Sequence, residues 1–298
     1  MRILYATDGT EPSVAAGRLI EKLIRRETTS ITVLSVAPTM TVSATALPIP
    51  LPNVDEEKAY ARRRAERSVR ELARAGFEVT CRVEAGAPAD RIMAVAADDA
   101  FDVVVMGAGS TNWLSRAFLG SVSAEVLHRS PVPTLVVHEV DPTTRGHVLI
   151  GIDGTAPASE AVAFTAALLD PGRCDIHVVD VVPRAHPVGV PIGAAYIATP
   201  PDPAIDAQRV EAARRCCYRT RSSLEEWGFN VISGPAMGSP ARVLVEESEF
   251  EHADLTIVGH RGLGALQRAL GRSVGDVVAR RARASLIVKQ ASAITAIA

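Results

Sequence analysis

The sequence lacks the features that direct a protein into or across a membrane. Its first residues, MRILYATDGTEPS, turn polar after a few apolar positions and contain neither the apolar core nor the cleavage site that a secretory signal peptide requires. The longest apolar runs have the length of strands and fall short of the roughly 18 residues of a membrane-spanning helix. The four cysteines form no CxxC pair, which argues against a disulfide framework. We therefore expect a soluble protein of the cytoplasm with reduced thiols.

The sequence also lacks an excess of charge of one sign and a residue spacing typical of metal ligands. The 32 lysines and arginines nearly balance the 34 aspartates and glutamates, for a net charge of −2. Neither nucleic acid nor an anionic membrane is attracted electrostatically by such a chain, and we expect no partner of either kind. The seven histidines show no metal-ligand spacing, so no metal-binding residue is predicted.

What the sequence does contain is an internal repeat. Its 298 residues, 47% of them hydrophobic, are enough for two compact domains. Five segments recur in the same order: RILYATDGTEPS and HVLIGIDGTAPAS, ITVLSVAP and IHVVDVVP, RAGFEV and EWGFNV, GAPADRIM and GSPARVLV, DVVVMGAGS and DLTIVGHRG. This order predicts two similar domains, residues 1–140 and 146–298, joined by a polar linker around residues 138–147. Because the linker is short, we expect the halves to pack as a pseudo-twofold pair. A homodimer of whole chains is an additional arrangement that the sequence does not decide.

Within each copy, short β-branched runs alternate with helix-like segments, which is the pattern of a parallel sheet. The strands predicted for the first copy are residues 3–6, 31–36, 77–83, 103–106 and 134–137. Their nearly continuous apolar character is typical of strands that are covered on both faces. Equivalent residues of the two copies are about 145 residues apart near the start of each copy and about 152 apart farther on. The second copy therefore contains about seven additional residues, which we place in the proline-rich segment 183–203. We predict loops for this segment and for its shorter partner, residues 38–53, because proline cannot donate to a strand ladder.

A glycine-rich loop follows the fourth predicted strand of each copy, at MGAGSTNWLSRAFLGS and VGHRGLGALQRALGRS. A loop that leaves the carboxyl end of a strand and leads into a helix offers backbone N–H groups and a positive helix end to phosphate. Open α/β sheets bind their ligands at this edge. No GKS or GKT follows either loop, so neither is a P-loop.

With these loops the sequence resembles the universal stress protein family, whose ATP-binding members show Gly, two residues, Gly, nine residues, then Gly followed by Ser or Thr. Most positions match, namely Gly107, Gly120 and Ser121 in the first copy and Gly259, Gly262 and Ser273 in the second. Ser110 replaces the second glycine of the first copy but keeps the backbone amide. Arg272 replaces the third glycine of the second copy. Its side chain either covers a phosphate as a charged lid or fills the space that a phosphate needs.

The resemblance covers nearly the whole of both copies and implies a fold and a ligand. The fold is an α/β fold of two tandem, doubly wound, open parallel sheets of five strands, Rossmann-like and of the adenine nucleotide α-hydrolase type, with strand order 3-2-1-4-5. The ligand is ATP, accompanied by Mg²⁺. The implied contacts are Asp8 and Asp153 at the ribose or near the metal, Val36 and Val181 at adenine through their backbone, and Met106 and Val258 beside the base. Ala6, Gly107, Ser110, Gly120, Ser121 and Val122 complete the set in the first copy, and Gly151, Gly259, Gly262, Arg272, Ser273 and Val274 in the second.

Several of these features have a plainer interpretation. Asp8 and Asp153 are equally suited to accept bonds from nearby backbone amides. The arginines between residues 62 and 70 are interpreted as a solvated helix face with (i, i+4) pairs. Cys217 falls on an apolar helical stripe, which favours core packing over redox chemistry for the adjacent pair Cys216 and Cys217.

Three functions follow from these patterns. The first is an ATP-binding stress protein that acts through nucleotide-dependent contacts with an unidentified protein partner and is at most a slow ATPase. The second is a nucleotide-free, dimerising scaffold of the same fold. The third is an adenylate-forming or pyrophosphatase-type enzyme, for which the sequence offers no catalytic motif and hence no catalytic residue.

Overall fold

The computed structural model of the chain describes residues 1–38, 54–109, 119–184, 188–192, 195–199, 203–260 and 273–289. The first half comprises β1 (Arg2–Ala6), α1 (Glu11–Leu23), β2 (Ser30–Ala37), α2 (Val54–Arg74), β3 (Glu78–Ala85), α3 (Pro88–Asp98), β4 (Val103–Gly107), α4 (Ser121–Arg129) and β5 (Thr134–Val137). The second half comprises β6 (Gly146–Ile152), α5 (Ala156–Leu168), β7 (Cys174–Val182), β8 (Val188–Ile192), β9 (Ala195–Thr199), α6 (Pro203–Glu226), β10 (Asn230–Met237), α7 (Pro240–Phe250), β11 (Leu255–His260), α8 (Val274–Arg281) and β12 (Ala284–Lys289).

Ten of the described strands form one sheet, in the order β10-β7-β6-β11-β12-β5-β4-β1-β2-β3. Within each half the strands are parallel, and the predicted order 3-2-1-4-5 is confirmed. The halves meet where β5 and β12 pair antiparallel, with Leu135 opposite Leu286. An unpaired edge strand exposes a row of backbone N–H and C=O groups. β5 and β12, the fifth strands of the two halves, hydrogen-bond to each other through these backbone groups. This pairing fuses the two predicted five-stranded sheets into one.

Helices cover both faces of the sheet, which is the expected doubly wound arrangement. One face packs against α1, α2, α5 and α6, through residues such as Leu72 and Leu224. The other face packs against α3, α4, α7 and α8, through residues such as Ile92 and Val278. None of the helices in the described ranges is both long and apolar enough to cross a membrane.

The halves also touch through their helices. Ile24, which follows α1, forms an antiparallel bridge with Leu169, which follows α5. Beside this bridge, Lys22 Nζ of the first half lies 2.7 Å from Asp254 Oδ2 of the second, and both side chains are almost fully buried. The two halves are therefore held together by the sheet, by backbone bonds and by a buried ion pair.

The prediction of a loop for residues 183–203 is wrong in part. Within this segment β8 and β9 pair antiparallel, from Val188 opposite Thr199 to Ile192 opposite Ala195. Pro191 lies inside β8. A two-stranded ribbon consists of edge strands alone, and proline is tolerated where its missing N–H would face away from the partner strand. The partner loop predicted at residues 38–53 lies outside the described residues except for Pro38.

Candidate functional site

A cavity of about 220 Å³ opens at the carboxyl edge of the first half, beside the ends of β1 and β4. These strands are neighbours in the sheet, but the chain leaves them toward opposite faces. This is the switch point at which open α/β sheets bind ligands. The cavity brings together all of the described residues predicted for the first copy: Ala6, Asp8, Val36, Met106, Gly107, Gly120, Ser121 and Val122. Ser110 lies outside the described residues.

Asp8 builds the turn that precedes α1. Its Oδ1 accepts hydrogen bonds from the Thr10 backbone N–H at 3.0 Å and from the Thr10 hydroxyl at 2.6 Å. Thr10 is the N-cap residue of α1. The plainer role of Asp8, an acceptor for a nearby backbone amide, is thus present in the structure, and the same side chain lines the cavity.

Three of the predicted glycines are required by the packing of the protein itself. A Cβ atom on Gly107 would lie 2.4 Å from the Ser13 backbone nitrogen. One on Gly120 would lie 2.8 Å from a carbonyl oxygen of the same loop, and one on Gly259 would lie 2.4 Å from a carbonyl oxygen in the first turn of α5. A side chain at any of these positions would displace backbone. The glycine spacing therefore reflects close backbone approach, whether or not a ligand is bound.

The N-terminus of α4 forms one wall of the first cavity. Gly120 is its N-cap residue, and no side chain within the described ranges caps this helix. The first amides of a helix have no partner inside it and carry the positive end of the helix dipole. Ser121 and Val122 place such amides at the cavity. This wall is suited to an anionic group such as phosphate.

Arg64 of α2 lines the first cavity, although the charged pattern of this helix predicts a solvated position for it. Its Nη1 donates to the Asp8 carbonyl oxygen at 2.8 Å, and its guanidinium lies 4.5 Å from the centre of the Tyr60 ring. The helical stripe could have revealed it, because Arg64 lies three residues after Ala61 and four before Ser68, both of which are buried. It brings a positive charge to the first cavity.

The second half has an equivalent cavity of about 790 Å³ at the carboxyl edge of β6 and β11. It is lined by all of the described residues predicted for the second copy: Gly151, Asp153, Val181, Val258, Gly259, Ser273 and Val274. Asp153 repeats the turn of Asp8, since its Oδ1 accepts from the Thr155 N–H at 3.1 Å. Gly262 and Arg272 lie outside the described residues, so the effect of Arg272 on this cavity stays a prediction.

The repeated fold and the paired cavities agree with comparisons to known proteins. The model of the universal stress protein family matches the chain twice, over residues 1–138 and 144–289. This chain belongs to the universal stress protein family. The match covers both halves and nearly all of the sequence, so the chain is a tandem universal stress protein, and the resemblance inferred from the glycine loops is confirmed.

Two curated relatives and one solved structure illustrate the relation. A universal stress protein of Mycobacterium tuberculosis is 31% identical over 204 residues, which are 65% of this chain and 63% of that protein. The match therefore spans less than two thirds of that relative. A universal stress protein of Mycolicibacterium smegmatis is 28% identical over 293 residues, or 96% of each chain. The structure of a universal stress protein from Archaeoglobus fulgidus superposes with a TM-score of 0.66 at 19% identity, covering 98% of this chain and 97% of that one, and supports the fold.

The two cavities of this tandem universal stress protein differ at their helix N-termini. In the second half, the Ser273 side chain accepts from the Asp276 N–H at 3.1 Å, and the Asp276 carboxylate accepts from the Ser273 N–H at 3.3 Å. This is a complete capping box. A carboxylate therefore already occupies the amide-rich end of α8, whereas α4 has no side-chain cap among the described residues.

The adjacent thiols of α6 occupy different environments in this universal stress protein. Cys217 is buried, and burial raises the pKa of its thiol to about 11. Cys216 lines the second cavity, and burial, followed by the charge of Asp180, raises its pKa as well. A raised pKa favours the unreactive protonated thiol, which is consistent with the expected packing role of Cys217.

One group of potential metal ligands occurs among the described residues of this universal stress protein. Ligand atoms of His177, Glu247 and Glu251 lie within 4.8 Å of one another, and His177 Nδ1 is 2.7 Å from Glu251 Oε1. No local spacing in the sequence marks this group, because its members come from two separate elements, β7 and α7.

Proposed function

We propose that this tandem universal stress protein binds ATP with Mg²⁺ and acts in the stress response through nucleotide-dependent contacts with a protein partner, with little or no catalysis. The observation that carries the proposal is the uncapped N-terminus of α4, which faces a cavity at the switch point of the sheet. The cytoplasmic location, the domain limits 1–140 and 146–298, and the homodimer of whole chains remain parts of the same proposal.

The walls of the first cavity suit the parts of an adenine nucleotide. Val36, Ile92 and Met106 offer an apolar surface to a base. Asp8 offers a carboxylate to hydroxyl groups, as acidic residues do for ribose in other α/β nucleotide sites. The amides at the start of α4 suit the phosphates, and Arg64 adds a charge that phosphate oxygens favour.

The same walls argue for binding without efficient catalysis. Within the described ranges, Asp8 and Arg64 are the ionisable side chains that line the first cavity. Asp8 already accepts two hydrogen bonds from Thr10, and arginine does not act as a base near neutral pH. No described group there is arranged as a nucleophile with a base. Any hydrolysis is therefore expected to be slow.

The hairpin of β8 and β9 is the element through which the second cavity would influence a partner. Val182 and Pro183 line that cavity and lie at the end of β7, a few residues before β8 begins at Val188. A nucleotide in the second cavity would contact the segment that leads into the hairpin. We propose that the hairpin surface changes with occupancy and thereby presents or withdraws a protein contact.

Calorimetry of the full chain with Mg-ATP tests the binding proposal. Arg64→Ala should weaken binding at the first cavity by about tenfold or more, because a charge-assisted contact is lost. Arg63→Ala is the matched control, since Arg63 is an exposed neighbour on the same helix. The absence of binding by the unmodified chain at millimolar Mg-ATP would overturn the proposal.

The nucleotide-free scaffold is the second candidate. It is favoured by the finding that Gly107, Gly120 and Gly259 are needed for backbone packing alone. Mass analysis of small molecules released by denaturing the purified protein discriminates between the two functions. A released adenine nucleotide would support the first proposal, and a preparation without one that also ignores added ATP would support the scaffold.

A further inference from the structure

An imidazole and two carboxylates meet outside both cavities, on the face of the second half that α7 covers. His177 lies on β7, Glu247 lies in the last turn of α7, and Glu251 is the C-cap residue of that helix. Potential ligand atoms of the three side chains lie within 4.8 Å of one another. The side chains of His177 and Glu251 are 19% and 26% exposed. The group is therefore held by the fold and is still open to solvent.

The imidazole of His177 has a ring nitrogen without a hydrogen-bond partner. Its Nδ1 atom lies 2.7 Å from Glu251 Oε1, but the two atoms do not form a hydrogen bond. Among the described residues, this buried nitrogen has no other hydrogen-bond partner. Buried polar atoms are ordinarily paired, and histidine is the commonest metal ligand in proteins. A ligand atom is thus available beside two carboxylates.

The two carboxylates lie where a helix least favours negative charge. The last turn of a helix carries carbonyl groups without partners and the negative end of the helix dipole. The last turn of α7 contains no basic residue. Within the described ranges, no lysine or arginine forms an ion pair with Glu247 or Glu251. A bound cation would stabilise both carboxylates and the end of the helix.

The first half satisfies the same place in a different way. By the spacing of the two copies, the positions equivalent to the three ligands are occupied by Thr32, Val95 and Asp99. The carboxylate of Asp99 forms an ion pair with Arg82 of β3. Gly234 of β10 is the equivalent of Arg82, and a Cβ atom added to it would meet nothing within 4 Å. The second half has therefore lost the arginine, gained an imidazole and a carboxylate, and left open space beside them.

The donor set favours a transition metal. Mg²⁺ and Ca²⁺ prefer sites made of oxygen atoms alone, whereas an imidazole nitrogen with carboxylate oxygens suits Zn²⁺. Zinc often has three protein ligands and a water molecule. Ligand atoms around a tetrahedral zinc ion lie about 3.4 Å apart, so the 2.7 Å pair would open and the widest separation would close. Rotation of two glutamate side chains at the end of a helix accomplishes both changes.

We propose that the second half binds Zn²⁺ through the imidazole of His177 and the carboxylates of Glu247 and Glu251, with water as the fourth ligand. The ion ties the C-terminal end of α7 to β7. The first half has no such site, because it keeps neither the histidine nor the first glutamate. The site is separate from the nucleotide cavities and does not depend on nucleotide binding.

The test is a zinc titration of the full chain, without nucleotide, against a chelator of known affinity. The unmodified chain should bind one Zn²⁺ more than either Glu247→Gln or His177→Asn, whose affinity at this site should fall by about tenfold or more. Zinc held by cysteine thiols elsewhere is common to all variants and cancels in this difference. Glu249→Gln is the matched control, because Glu249 is exposed on the same helix, and it should bind as the unmodified chain does.

Thermal unfolding supplies a second measurement. Zinc at about one hundred times its Kd should raise the Tm of the unmodified chain by about 5 °C, and this rise should be lost in Glu247→Gln. In EDTA the order reverses. Glu247→Gln should then be at least as stable as the unmodified chain, because it removes a charge from the negative end of α7. A glutamate with a merely structural role would give a less stable variant in both buffers.

Three results would overturn the inference. The first is that the unmodified chain binds no zinc up to about 0.1 mM. The second is that all four proteins bind the same number of zinc ions with the same affinity. The third is that Glu249→Gln loses as much zinc as Glu247→Gln, which would indicate a diffuse attraction to the acidic helix. ATP binding is measured separately and stands or falls independently of these results.

Discussion

Replacing Lys22 by methionine should show that the buried ion pair between the two halves contributes more to stability than an ion pair at the surface. Lys22 Nζ lies 2.7 Å from Asp254 Oδ2, and the two side chains are 6% and 2% exposed. The same ammonium group donates to the Asp141 carbonyl oxygen at 2.6 Å and to Thr144 Oγ1 at 3.1 Å. Lys22→Met keeps the length of the side chain but leaves the Asp254 carboxylate buried without its counter-ion.

The expected loss is large for a single substitution. Breaking a buried ion pair from one side costs about 3 to 5 kcal/mol, because a charge remains in a low-dielectric interior. For a chain of this size, about 3 kcal/mol corresponds to a fall in Tm of about 6 °C or more. Asp254 also accepts a bond from the His147 backbone N–H at 3.0 Å, so β6 should be weakened together with the contact between the halves.

Thermal unfolding followed by circular dichroism measures this loss. The matched control is Arg18→Met, because Arg18 lies on the same helix and pairs with Glu11 at the surface, with side chains 45% and 76% exposed. Exposed pairs contribute less than about 1 kcal/mol. Adding Asp254→Asn to Lys22→Met should restore part of the Tm, because the unpaired charge is removed. Equal, small shifts for Lys22→Met and Arg18→Met would refute the reasoning.

Three further predictions concern packing, pH and thiol chemistry. Gly107→Ala should lower the free energy of unfolding in urea by about 2 kcal/mol or more, because the added Cβ atom would lie 2.4 Å from the Ser13 backbone nitrogen. Gly234→Ala should be tolerated, since nothing lies within 4 Å of its added Cβ atom. Equal effects of the two substitutions would contradict the close contact between Gly107 and the Ser13 backbone. Because the pKa of Asp180 is raised above its ordinary 3.8 by burial and by Asp153, the folded state binds the extra proton, and stability is lost as pH rises through the folded pKa. The Tm of the wild type relative to Asp180→Asn should therefore fall from pH 4 toward neutrality, and a constant difference would argue against the shift. Iodoacetamide at pH 8 should modify the exposed Cys81 before the buried Cys217, because burial raises the pKa of the Cys217 thiol to about 11. If mass mapping of the native protein finds both cysteines modified at the same rate, Cys217 is not buried.

Much of the first cavity was predictable because its parts are local in sequence. The Asp8 turn follows β1, Val36 lies near the end of β2, Gly107 is the last residue of β4, and Gly120 comes directly before α4. The carboxyl ends of parallel strands must meet at one edge of a sheet. Arg64 was not predicted because a basic residue on an amphipathic helix has the same local pattern whether it faces solvent or a neighbouring loop.

The proline-rich segment illustrates the opposite difficulty. Proline is usually excluded from strands because it cannot donate to the ladder, and this rule predicts a loop at Pro191. The structure places Pro191 in a two-stranded ribbon. Whether a missing donor is tolerated depends on which side of the strand carries a partner, and that is decided by pairing rather than by composition.

The sequence by itself determined the repeat and the alternation of strands and helices within each half, because these depend on periodic burial. The strand order and the residues at the two switch points were implied by the family resemblance that its glycine loops carry. Only the tertiary structure decided how the halves combine and how they differ. The pairing of β5 with β12, the burial of Lys22 against Asp254, and the hydrogen bond from Arg64 to the Asp8 carbonyl oxygen all join residues that are far apart in the chain. Contacts of this kind depend on three-dimensional packing, which local sequence patterns do not encode.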